Sequence, residues 1–82
     1  MQEVRVQLGL TIQRLRRSRK LSQEELAHIA GIDRAYMSRI ERGIPNLGIE
    51  MIVRISKALG VQPAELVEGL TWSDESVKPI DK

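Results

Sequence analysis

An all-helical fold of five helices is predicted for this chain of 82 residues, and three observations predict it. Apolar residues recur at three- and four-residue spacing, as one buried stripe of a helix requires. Helix-start residues (Ser22, Asp33, Pro63) and helix-stop glycines (Gly31, Gly43, Gly60) divide the chain into short segments. Only Gly31-Ile32-Asp33 joins the second and third segments, which forces a sharp turn between two short helices.

The first helix is expected from Val4 to Lys20, with Val4, Leu8, Thr11, Ile12 and Leu15 as its apolar stripe. Gly9 weakens it by about 1 kcal/mol relative to alanine, an amount that packing can override. Arg14, Arg17, Arg19 and Lys20 gather near its C-terminus, where the helix dipole favours cations. Ser22-Gln23-Glu24-Glu25 is a capping box, so the second helix starts at Gln23, with Leu26, Ile29 and Ala30 inward. It is too short to be stable alone and must be held by packing. Ile32 then plugs the turn, and Asp33 caps a third helix from Arg34 to Arg42, stopped by Gly43. After the loop Ile44-Pro45-Asn46-Leu47-Gly48, a fourth helix runs Ile49 to Leu59, with Ile49, Ile52, Val53, Ile55, Ala58 and Leu59 apolar. Pro63 opens a fifth helix through Leu66 and Val67. The segmentation gives a domain over residues 1–70 and a polar tail over 71–82.

Composition narrows the function classes. Hydrophobic residues at 41% and charged residues at 29% are those of a globular chain. No apolar run is long enough for a bilayer and no secretory signal pattern opens the sequence, so a cytoplasmic protein without membrane contact is expected. With no cysteine and one histidine, disulfides and thiolate or histidine-cluster metal sites are excluded. His28 falls opposite the inner face of helix two and reads as a surface residue. Glu24-Glu25 belongs to a helix start and Asp74-Glu75 to the tail, so neither is a catalytic pair. Without a glycine-rich phosphate loop, a metal-ligand spacing or a nucleophile beside a base, neither an enzyme nor a cofactor is expected. Charge is asymmetric: residues 1–20 carry six cations against Glu3 alone, and residues 61–82 carry five acids against Lys78 and Lys82. One end could face a polyanion, although two solvated helix faces of opposite sign would look the same.

Two short helices joined by a tight turn are the unit with which many proteins enter the DNA major groove, because a helix matches the groove's width. On a helical wheel, Met37 and Ile40 point inward with Tyr36 and Glu41 beside them, while Arg34, Ala35, Ser38, Arg39 and Arg42 point outward. Arginine makes paired hydrogen bonds to guanine, Ala35 suits a thymine methyl, and Ser38 can donate or accept. A solvated helix face would have a similar composition. Its place on the second helix of a tight pair favours the groove.

The run Leu21-Ser22-Gln23-Glu24-Glu25-Leu26-Ala27, then Ala30-Gly31-Ile32-Asp33-Arg34-Ala35-Tyr36-Met37-Ser38, then Ile40-Glu41-Arg42-Gly43, resembles the Cro/repressor helix-turn-helix family, also called the xenobiotic-response-element family. The resemblance continues through Asn46 and Ala58-Leu59-Gly60-Val61, and Asp33 to Ser38 is also similar to restriction–modification controller proteins. It implies a lambda-repressor-like domain that binds double-stranded DNA and regulates transcription, blocking or contacting RNA polymerase. On the family pattern, Gln23 clamps a phosphate. Arg34, Ala35 and Arg39 meet base edges, Tyr36 and Ser38 meet bases and backbone, and Arg42 and Asn46 meet backbone. Arg16 and Glu41 match a partly buried salt bridge; a phosphate contact is the alternative for Arg16. Ile44 and Pro45 stand where relatives carry basic residues, and Gly48 where they carry a Ser or Thr cap, which weakens the expected grip of that loop. One recognition helix reads too few base pairs to find one genomic site, so a homodimer on a pseudo-palindrome is expected. Leu66, Val67, Leu70 and Trp72 are its interface candidates, with closure of the monomer core as their other use. The competing class is a protein-interaction module such as an antitoxin.

Overall fold

In a computed structural model that describes residues 2–71, the chain forms five α-helices. They are α1 (Gln2–Ser18), α2 (Gln23–Ala30), α3 (Arg34–Glu41), α4 (Ile49–Leu59) and α5 (Pro63–Val67). Among the described residues there is no strand, and no helix is long and apolar enough to cross a membrane.

One core joins all five helices. Leu8, Ile12 and Leu15 of α1 meet Leu26 and Ala27 of α2, Met37 and Ile40 of α3, Ile55 and Leu59 of α4, and Leu66 of α5. Leu66 is 1% exposed, so it closes the monomer core and offers nothing to a partner surface. Val67 is exposed, and Leu70 is half-buried against the core. Trp72 and the polar tail beyond Thr71 lie outside the described residues.

Local chemistry sets the ends of the short helices. Ser22 Oγ accepts from Glu25 N–H at 3.0 Å while Glu25 Oε1 accepts from Ser22 N–H at 2.8 Å, completing the capping box. Asp33 caps α3 by accepting from Ala35 N–H at 3.2 Å. Gly48 caps α4 with no side-chain hydrogen bond, as the absence of a hydroxyl there requires. Helices α1 to α4 all end in the same paired bond pattern, in which a left-handed residue is followed by an apolar one. In α1 the left-handed residue is Lys20, at φ 57°. Leu21 N–H bonds back to Arg16 carbonyl at 3.1 Å and Lys20 N–H to Arg17 at 2.9 Å. The helix therefore stops at Ser18, short of the expected Lys20, and it begins at Gln2, ahead of the expected Val4.

Ile29 sits outside the inner face expected for it, and two apolar residues of α4 are exposed as well. Ile29 is 55% exposed because Leu26, Ala27 and Ala30 define the inner face, about 100° away around α2. Val53 is 45% and Ile49 72% exposed for the same reason on α4, where Ile55, Ser56 and Leu59 are buried. Ile32 packs on the core but remains half-buried.

Candidate nucleic-acid interface

The seat of α3 is made by α1. Gly9 lies so close to the C-terminal turn of α3 that an added Cβ would stand 2.6 Å from the carbonyl oxygens of Ile40 and Glu41. One turn earlier in α1, Val6 blocks a Cβ on Gly43, whose φ is 78°. Two glycines, one on each partner, thus let the backbones approach to a distance that no side chain permits. A mid-helix glycine is the sequence signal for such a crossing. Arg5 adds a tie between the same elements, its Nη1 donating to Ile44 carbonyl at 3.0 Å. Arg5 was not among the expected site residues, although it brings a cation to the loop whose basic residues are missing.

Beneath the crossing, Arg16 and Glu41 form an ion pair in which both residues are buried, at 8% and 5% exposure. Arg16 Nε donates to Glu41 Oε2 at 2.6 Å and Nη2 to Oε1 at 3.0 Å. Arg16 Nη1 donates to Leu21 carbonyl at 2.8 Å, fixing the chain just ahead of α2. The guanidinium faces inward, away from any surface. A planar fork on a carboxylate fixes relative position more reliably than it adds net stability. Gln23 joins this network, donating from Nε2 to Glu41 Oε1 at 3.0 Å, a contact between residues too distant in sequence for spacing to reveal.

Met37 and Ile40 pin α3 from below, at 0% and 3% exposure. Above them Arg34, Ala35, Arg39 and Arg42 are exposed, and Tyr36 and Ser38 are half-buried at the margins. Arg42 Nε folds back to Ser38 carbonyl at 3.4 Å. Asn46 is exposed in the following loop. The exposed face therefore gathers three guanidinium groups around one small residue, on a helix held rigidly by α1 and α2. Such a face offers paired donors to guanine and charge to phosphate. His28 is exposed, and no group of three or more potential metal ligands occurs among the described residues.

Comparison with known proteins gives one consistent answer. The helix-turn-helix family profile matches residues 12–66. The control protein C.BamHI of Bacillus amyloliquefaciens is 42% identical over 69 residues, covering 83% of this chain and 85% of that protein. The restriction–modification controller protein C.AhdI from Aeromonas hydrophila superposes with a TM-score of 0.73 at 39% identity, over 74% of this chain and 92% of that one. The restriction–modification controller C.Esp1396I, solved as a tetramer with its natural 35 base-pair operator, superposes with a TM-score of 0.73 at 32% identity. That match covers 79% of this chain and 86% of the controller.

Proposed function

From a chain that belongs to the helix-turn-helix family, we propose a transcriptional regulator that reads double-stranded DNA by sequence, as a homodimer on a pseudo-palindromic operator. The observation that carries this reading is the exposed face of Arg34, Ala35 and Arg39 on an α3 whose inner face is wholly buried. Arg34, Ala35 and Arg39 meet base edges, Tyr36 and Ser38 the groove margin, and Gln23, Arg42 and Asn46 the phosphates. The similarity to controller proteins, one of them bound to its operator, supports placing this chain in the control of a restriction–modification system.

The second copy joins through the exposed apolar residues of α4 and α5, Ile49, Val53 and Val67, with Leu70 beside them. Ile49 and Val53 are apolar residues of α4 left outside the core. Their exposure one turn apart on α4 is what recommends them. Residues 1–70 act as the DNA-binding unit, in the cytoplasm where the DNA lies. A dimer over a promoter blocks RNA polymerase, and one placed just upstream contacts it. The work is regulatory rather than enzymatic.

Selection of bound duplexes from a random pool, at about 150 mM salt so that non-specific attraction is weak, tests the reading. A repeated pseudo-palindrome is the expected result. Enrichment of no sequence would overturn it in favour of a protein-interaction module.

A further inference from the structure

We propose that Glu41 is a positioning residue for the contact with the DNA backbone: it holds the Gln23 side chain in place at the start of α2. The buried ion pair under the recognition helix would then set the phosphate clamp as well. This rests on the DNA-binding reading above and adds to it a residue that touches no DNA.

Glu41 Oε1 is shared, accepting from Arg16 Nη2 and from Gln23 Nε2, both at 3.0 Å. A carboxylate paired with a guanidinium presents only acceptors, so the Gln23 atom facing it has to be the amide nitrogen. Chemistry thus settles an orientation that nitrogen and oxygen positions alone do not. An NH2 group has two hydrogens, and Glu41 uses one. The other stays available to an acceptor arriving from outside, beside the first backbone N–H of α2. Ser22 engages the N–H groups of Glu25 and Leu26, and leaves those of Gln23 and Glu24 outside the cap. Arg16 cannot take this role, because all three of its hydrogen bonds point inward.

Anchoring matters here for two reasons. A free glutamine gives up rotamer entropy when it binds, whereas one already tied to a buried carboxylate gives up little. The first turn of α2 also carries Glu24 and Glu25, whose charge opposes a phosphate. Glu25 is turned toward the cap by its bond to Ser22 N–H at 2.8 Å. A donor fixed in direction counters that repulsion better than one that swings.

A double-mutant cycle on the affinity of the full chain for its selected operator and for random duplex tests the proposal. Gln23→Ala should weaken binding to both by about tenfold, the size of one charge-assisted hydrogen bond to phosphate. Arg16→Leu with Glu41→Leu removes the anchor without leaving a buried charge. In that background the same Gln23→Ala should cost less than about twofold, since an uncoupled pair alone would add. The selected sequence should stay that of the parent. Equal losses in both backgrounds would overturn the proposal, and so would a changed sequence preference, which would assign the pair only to the seat of α3. If the double variant does not fold, relaxation of the Gln23 side-chain amide in the unbound parent decides. Order matching the backbone supports anchoring, and free reorientation refutes it. A parent that prefers no duplex refutes the DNA reading instead, and the amide relaxation still reports on the anchor.

Discussion

Helices α3 and α4 press their inner faces into the same core, yet their outer faces carry opposite chemistry. The outer side of α3 presents Arg34, Arg39 and Arg42 around Ala35, while that of α4 leaves Ile49 and Val53 in water. Guanidinium groups lose little by facing solvent and gain from a polyanion. Exposed branched aliphatics gain only from another apolar surface. The contrast matches the two jobs proposed for one small domain, base reading on α3 and self-association on α4 with α5. It also shows that burial in a shared core says nothing about what the opposite face of a helix is for.

The support under α3 is where the largest effect is expected. Glu41→Ala leaves Arg16 buried without its partner and should destabilise the domain by about 3–5 kcal/mol, measured by denaturant or thermal unfolding. A loss below about 1 kcal/mol would mean that Arg16 escapes to solvent and that the pair does not hold the seat.

The outer face of α4 comes next. Val53→Asp should leave the unfolding free energy within about 0.5 kcal/mol, because the side chain is already half in water. The same change should weaken self-association by about 2 kcal/mol or more and operator binding with it. Analytical ultracentrifugation reads the first loss and titration of operator the second. Unchanged association would move the interface away from α4.

Gly9→Ala touches neither outer face. It forces a methyl against the carbonyls of Ile40 and Glu41, and a cost of about 1–3 kcal/mol in stability is expected. Operator affinity should fall further than stability alone explains, because α3 shifts relative to α2. Lys20→Gly is the smallest effect and of opposite sign. Relieving a left-handed lysine should stabilise the chain by about 1 kcal/mol with operator affinity unchanged.

Much of this architecture could be read from the sequence where the signal was local. Ser22 with Glu25, Asp33, Gly31 and Pro63 sit within a few residues of the helix ends they define, and the bounds of α2 and the starts of α3 and α5 follow from them. The end of α1 was misplaced because Lys20 takes the conformation that a glycine usually marks. Ile29 was assigned inward, and Ile49 and Val53 were grouped with the buried residues of α4 by apolar identity alone, which does not say which side of a wide stripe meets the core. On the candidate interface, the outward set of α3 followed from the wheel once Met37 and Ile40 were taken as its floor. The roles of Gly9 and Arg5, and the bond from Gln23 to Glu41, depend on α1, α2 and α3 meeting in space, and no spacing along the chain encodes that.

Every functional proposal for this chain depends on base reading by the outer face of α3. Its most direct test is to repeat the duplex selection with Arg39→Ala beside the parent. The preference should relax at one position in each half-site, at a cost of about 1–3 kcal/mol for the parent operator, with half-site spacing unchanged. A variant that selects the same sequence as the parent, or that weakens on every sequence alike, would contradict it.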